Sequence, residues 1–415
     1  MSENQIPTSR IKRGLIAGRT ATMMAITKLT KLTKEQNLQQ QAIAKVLFQG
    51  LSQLRGTALK FAQILSSEDD LLPEAYIKEL RKAQYKVPPL NKALTFKILN
   101  QEFKQNPLEL FDVFEMEAFA GASLGQVHKA RKDQKDLAVK IQYPGISSTI
   151  KNDLAIMRKI ISVLPHHLLL SRSLDELSER IYEETDYLKE AQETKWFNER
   201  FNSSDVSIPN VLEDLTTSKV LTTTMIKGKH LDDWLQDIPP QQAKNKACGV
   251  LYKFFFDSLF THSKIHADPH LGNFLFREDG SIGVVDFGSI KAVPTPALNL
   301  YKELWKAVNT KNYDGLVDLY RDLGAQIEKE DEERFLKVCV IPYCEWLSFF
   351  LDQECDFENM SQQISLGKAI LLKNVYEKTL QNFSTDFVLV HRTFYGLLRA
   401  FEKIGGIVKL EVVLS

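Results

Sequence analysis

The spacing of apolar residues changes several times along this 415-residue chain. Leu51, Leu54, Ala58, Phe61 and Leu65 recur at steps of three and four, the stripe of an amphipathic helix that ends at Asp69-Asp70 and Pro73. Lys60 and Gln63 lie off that stripe, three apart and so neighbours on the helix surface. By side-chain physics alone, Lys60 reads as a solvated lysine. Short β-type runs follow. Phe111 to Ala118 is a strand candidate, and Val127 to Ala130 and Leu137 to Ile141 form a hairpin around Lys132-Asp133-Gln134-Lys135-Asp136. Ser171 to Phe197 reads as one long acidic helix, and Val220 to Met225 as a further strand. From Gln241 onward, apolar residues return to helical spacing, with Phe254, Phe255, Phe256 and Phe260 as core. Val338 to Leu351 is too short to span a membrane and contains Pro342 and Glu345, so it reads as a buried helix.

The length exceeds the usual size of one domain and predicts two lobes. Lys+Arg and Asp+Glu are both 53, so net charge gives no argument for nucleic acid. Cys248, Cys339, Cys344 and Cys355 form no CxxC and read as reduced core residues of a cytoplasmic protein. No N-terminal segment has the apolar centre of a signal peptide. Gln5 to Lys34 holds no acidic residue. Ile11, Leu15, Ala25, Leu29 and Leu32 fall near one helical face there. This basic amphipathic stretch either lies on an anionic membrane surface or packs on the main domain as a solvated helix.

Candidate chemistry sits elsewhere. Lys140 ends the apolar Leu137-Ala138-Val139-Lys140. Asp268 and Asn273 lie in His266-Ala267-Asp268-Pro269-His270-Leu271-Gly272-Asn273, with the spacing of a kinase catalytic loop. Asp286 opens Asp286-Phe287-Gly288 after the apolar Ile282-Gly283-Val284-Val285. Singly, each is an ordinary strand end or turn. In this order they supply what phosphoryl transfer requires. Lys140 would hold the α/β phosphates of ATP, Asn273 and Asp286 would bind Mg²⁺, and Asp268 would orient and deprotonate the attacking hydroxyl or water. His266 and His270 have no further ligand at zinc spacing. After Gly288 the chain soon returns to a helical pattern, without A-P-E or room for a long activation loop. That favours ATP hydrolysis or small-molecule phosphorylation over protein phosphorylation.

Leu54-Arg55-Gly56-Thr57-Ala58-Leu59-Lys60-Phe61-Ala62-Gln63 resembles the K-x-G-Q helix of the UbiB (AarF-type) family of atypical protein-kinase-like ATPases. Ala120-Gly121-Ala122-Ser123-Leu124-Gly125-Gln126-Val127-His128 is similar to its alanine-rich nucleotide loop, A-A-A-S-x-G-Q-V-H. Glu184-Thr185-Asp186-Tyr187 is similar to its E-x-D motif, and the H-A-D-P-H-x-G-N loop is nearly intact. The resemblance covers roughly Pro7 to Leu300. Two positions depart from it. Ala62 replaces the K-x-G-Q glycine, and Gly121 replaces the second loop alanine. The second change brings the loop closer to the glycine-rich loop of ordinary kinases. The membrane span at the C-terminus of some bacterial members has no equivalent.

The resemblance implies an α+β, bilobal protein-kinase-like fold. Its parts would be a basic amphipathic segment (1–35), a helical extension with the K-x-G-Q-like motif (36–110), a small β-containing N-lobe with the E-x-D helix (111–227) and a mostly helical C-lobe (228–415). Ala120, Gly121, Ala122, Ser123, Gly125 and Val127 would cover the nucleotide, and backbone groups near Met225 would meet the adenine edge. Of Glu184, Asp186 and Glu190, the family pattern favours Glu190 as the partner of Lys140. Glu184 and Asp186 would then face Lys60 and Gln63, which cover the site in a regulatory role. The implied activity is Mg-ATP turnover supporting ubiquinone or other isoprenoid-lipid metabolism at the inner face of a membrane, with isoprenoid lipids or lipid-biosynthesis proteins as partners. The alternatives are a true kinase for a small molecule or protein, and a catalytically silent nucleotide-binding scaffold. Intact Lys140, Asp268, Asn273 and Asp286 count against the last.

Overall fold

The computed structural model describes residues 14–16, 18–20, 22–24, 36–54, 79, 91–122, 124–161, 174, 178, 181–268, 270–351, 353–376 and 385–411. Two compact units emerge: Met1–Gln192 with Asn210–Met225, and Glu193–Pro209 with Ile226–Ser415. Helix and sheet mix in an α+β kinase-like fold.

The first unit is built on an antiparallel sheet of β1 (Val113–Ala122), β2 (Gly125–Lys132), β3 (Lys135–Gln142) and β4 (Val220–Thr224), in that spatial order. In β3, Leu137, Val139 and Ile141 are buried while Ala138 and Lys140 are only partly so, the period-two alternation of a strand with one core face. The core face packs with Ile98 and Leu99 of α2 (Lys92–Phe103), a helix capped by the Asn91 side chain. The hairpin between β2 and β3 turns at Asp133 and Gln134, with φ of 50° and 62°, the conformation whose twist suits a two-residue hairpin. In α1 (Gln36–Leu54), Ala44, Leu47 and Leu51 are buried; Ala58, Phe61, Leu65, Lys60 and Gln63 lie outside the described residues.

The same core face of β2 holds a polar network. His128 Nδ1 donates to the Glu115 carbonyl at 2.9 Å, so its Nε2 accepts from Gln126 Nε2 at 2.7 Å. Gln126 also donates to Thr95 on α2 at 3.2 Å. The Gln and His of the Gln126-Val127-His128 motif thus point away from Lys140 and anchor the hairpin to α2.

Two sequence expectations need correction. The alanine-rich segment is not a loop from Ala120 to Gly125. β1 continues through Ala122, with Ala120, Gly121 and Ala122 opposite Val127, Gln126 and Gly125. Pairing with β2 draws these three residues into the ladder, and Leu124 lies in the turn before Gly125; Ser123 is outside the described residues. The acidic segment Ser171 to Phe197 is also not one helix. It breaks at a turn through Glu184 and Thr185, and α4 (Tyr187–Phe201) starts afresh, with the Asp186 carboxylate accepting the Lys189 N–H at 3.0 Å.

The second unit is mainly helical. α5 (Gln241–Phe256), α6 (Thr295–Thr310), α7 (Ile341–Leu351), α8 (Ser361–Tyr376) and α9 (Thr385–Ile404) contribute to its aromatic-rich core. Phe254, Phe255 and Phe260 are buried in it, and all four cysteines are free and buried. Among the described residues, no helix is long and apolar enough to cross a membrane. His391 on α9 is buried against Tyr343, whose hydroxyl is hydrogen-bonded to its Nδ1. Burial pulls the His391 pKa from 6.5 to about 3 and lowers that of His128 as well. Both groups bind protons more readily when unfolded. Their contribution is complete above the unfolded value near 6.5 and is lost as pH falls toward about 3. The urea midpoint should therefore drop between pH 7 and pH 5, with a slope of up to about 1.4 kcal/mol per pH unit for each such histidine. His391→Asn, which keeps an acceptor for Tyr343 but does not titrate, should flatten the slope measured in urea at several pH values.

Candidate active site

In the first unit, the alternation of β3 sends Lys140 to the face opposite the core. Register places Val127 on β2 and Leu221 on β4 beside it. Lys140 Nζ donates to both oxygens of Glu190, at 2.7 and 2.9 Å. Glu190 is 3% exposed and Lys140 16%. The ammonium also lies 5.2 Å from the Tyr187 ring centroid. Glu190 is in the first turn of α4, three residues after Tyr187. Capping by Asp186 sets where that helix begins, and Gln142 on β3 holds the preceding turn by donating to the Thr185 carbonyl at 2.9 Å. A buried, charge-assisted pair of this kind contributes little net stability, since desolvation opposes it. It fixes the Lys140 cation in one place on the face opposite the core. Glu184 and Asp186 belong to the turn before α4, and the structure does not bring them to Lys140 among the described contacts.

The glycines of the hairpin differ sharply. Gly121 needs no special backbone conformation, and a Cβ there would meet nothing within 4 Å. At Gly125, a Cβ would fall 2.4 Å from the Ile141 carbonyl and 2.7 Å from the Tyr187 hydroxyl. Close approach therefore requires glycine at 125 and not at 121. Met225 follows β4, and its N–H donates to the Asp136 carbonyl at 2.9 Å. That N–H is committed to the sheet.

In the second unit, β5 (Lys264–His266) pairs with β8 (Ile290–Ala292), while β6 (Phe274–Phe276) and β7 (Ile282–Val284) form a hairpin. The first pair delivers His266 and Asp268, and the hairpin delivers Asn273 and Asp286. His266 is fully buried, and its Nε2 donates to the Asp286 carbonyl at 2.8 Å. Its Nδ1 then accepts from the Asp268 N–H at 3.4 Å, which fixes the tautomer. One imidazole thereby joins the two loops that carry the acids. Asn273 Nδ2 donates to Asp268 Oδ2 at 3.0 Å and to its carbonyl at 3.2 Å. Asp286 Oδ1 accepts the Gly288 N–H at 2.9 Å. Phe287 is 1% exposed, 5.0 Å from Phe197 and 5.9 Å from His266 between ring centroids. Burying such a ring contributes about 1.5–3 kcal/mol, enough to hold the Asp-Phe-Gly turn in place.

Asn273 and Asp286 carry hard oxygen groups, the chemistry Mg²⁺ takes from a protein. Sequence reading named Lys140, Asp268, Asn273 and Asp286 but missed His266 as the strut between the loops of Asp268 and Asp286. Its signal was the β-run Lys264 to His266 directly before Asp268.

The sequence profile of the ABC1 atypical kinase-like domain matches residues 82–320. An uncharacterised protein of Synechocystis, sll1770, is 30% identical over 88% of this chain and 62% of its own length. The mitochondrial atypical kinase coq-8 of Caenorhabditis elegans is 27% identical over 78% of this chain and 46% of its own. The chain thus spans less than two-thirds of these relatives. The solved structure of the Rv3197–erythromycin complex from Mycobacterium tuberculosis superposes with a TM-score of 0.56 at 23% identity, covering 88% of this chain and 93% of that one. The likeness is one of fold.

Gly125→Ala should destabilise the chain by about 1–3 kcal/mol, whereas Gly121→Ala should stay within about 0.5 kcal/mol of wild type. Urea unfolding of the two variants checks the contrast.

Proposed function

The chain belongs to the ABC1 atypical kinase-like family, and on that premise we propose that it is a Mg-ATP-using atypical kinase-like enzyme supporting ubiquinone or other isoprenoid-lipid metabolism. The observation that carries this reading is the bidentate Lys140–Glu190 pair, a part-buried cation held in one orientation by a buried carboxylate. Lys140 takes the charge of the α/β phosphates, and Glu190 keeps its ammonium from wandering. Ala120, Gly121, Ala122, Ser123, Gly125 and Val127 cover the nucleotide's phosphates. The Met225 carbonyl reads the adenine edge.

Asn273 and Asp286 hold Mg²⁺, which when bound neutralises phosphate charge as it develops. Asp268 orients the attacking hydroxyl or water and accepts its proton. The Asn273 amide donates to Asp268 Oδ2 and the His270 N–H to its Oδ1, so both carboxylate oxygens are oriented by the loop that carries them. His266 keeps both loops in register and touches no substrate.

The short course from Gly288 to α6, interrupted only by β8, leaves little chain on which a peptide substrate would dock. This favours water or a small molecule as acceptor. Within the same reading, Lys60 and Gln63 restrain access by acting on Glu184 and Asp186, and the basic N-terminal segment brings the enzyme to an anionic membrane surface. Partners would be isoprenoid lipids or the proteins that process them.

Asp286→Asn keeps the acceptor for the Gly288 N–H and removes the charge. It should fold normally and lose most of the thermal stabilisation by Mg-ATP, by about tenfold or more in affinity. A thermal-shift titration with an unchanged Mg-ATP response would contradict the assignment.

A further inference from the structure

Lys264 begins β5 two residues before His266, so both side chains leave the same face of that strand. Its Nζ is 2.6 Å from Glu193 Oε2, with the two side chains 22% and 19% exposed. It also lies 4.3 Å from the ring centroid of Trp196. Trp196 packs against Phe197 and meets His262 edge-on. Glu193, Trp196 and Phe197 all belong to α4, and Phe197 is the residue against which Phe287 rests.

An ammonium set between a carboxylate and an indole is expensive to desolvate. An apolar residue of similar volume would serve stability as well or better. What a charged pair adds is direction, because its geometry must be met for the desolvation to be offset. The residues it joins are well chosen for that. One end is the strand that leads into the catalytic loop. The other is the helix that carries Glu190 three residues before Glu193, on adjoining positions of its surface.

We infer that Lys264 is a positioning residue: paired with Glu193 against Trp196, it locks β5 to α4 so that His266 and Asp268 hold their places and α4 keeps the rotation that presents Glu190. The consequence for turnover rests on the Mg-ATP reading above; the consequence for local structure does not. Lys264 touches no substrate and acts through the strand and the helix.

Three variants test it in the full chain. Lys264→Met keeps the aliphatic stem and deletes the charge. Lys264→Arg keeps the charge. The double variant Glu193→Lys with Lys264→Glu reverses the pair. In steady-state Mg-ATP turnover, Lys264→Met should lower kcat about tenfold, with KM for ATP within about twofold and little change in Tm. Lys264→Arg and the reversed pair should each recover most of that loss. Lys264→Arg decides the matter if the reversed pair does not fold. Wild-type kcat in Lys264→Met, or no recovery in either of the others, overturns the inference.

Hydrogen exchange gives a readout that needs no nucleotide. Exchange of the Ala267 amide, which donates to the Ser289 carbonyl at 2.8 Å, should rise about tenfold in Lys264→Met while β2 and β3 stay protected. Unchanged exchange at Ala267 overturns the positioning role. Faster exchange in a chain whose wild type turns over no ATP upholds it and refutes the Mg-ATP reading instead.

Discussion

The ion pair between Lys140 and Glu190 sets the terms for the rest of the first unit. A lysine on a strand between Val139 and Ile141, both fully buried, cannot reorient without breaking the ladder. Its carboxylate partner must therefore be brought to it. That requirement explains the break at Glu184–Asp186, the cap that starts α4 at Tyr187, and the Gln142 bond that anchors the turn. At Gly125 the Ile141 carbonyl and, next to it, the Tyr187 hydroxyl leave no room for a Cβ. Apolar packing supplies the stability of this unit. The pair supplies its direction, at a desolvation cost that only a fixed geometry offsets.

The second unit solves a similar problem with neutral groups. Acids in adjacent loops repel one another and need scaffolding that does not neutralise them. His266 does this by donating to a backbone carbonyl and accepting from a backbone N–H, which leaves both carboxylates untouched. Phe287 and Phe197 add an apolar wedge behind the same turn.

Much of this was legible in the sequence. Alternation in Leu137 to Ile141 announced a half-buried strand, and the order of Lys140, Asp268, Asn273 and Asp286 announced kinase-like chemistry. What stayed hidden were effects of pairing over distance. Ala120 to Ala122 have weak strand propensity, and only the facing residues of β2 draw them into the ladder. The acidic run from Ser171 reads as continuous helix because the cap at Asp186 is one carboxylate among many. Gln126 and His128 read as part of a nucleotide motif, although their spacing of two places them on one strand face with Ala130. No sequence signal joins Lys264 to Glu193, 71 positions apart. Helix surface chemistry alone favoured a solvated face for α4, and the family pattern was needed to single out Glu190.

The whole account depends on whether these groups act on a nucleotide. The most direct measurement is release of inorganic phosphate from ATP by the purified chain, with Mg²⁺ present or chelated, and with anionic or neutral liposomes. Mg²⁺-dependent turnover that rises on anionic liposomes is the predicted result. Absence of any Mg²⁺-dependent turnover under all of these conditions would contradict the claim that this chain is an ATP-using enzyme.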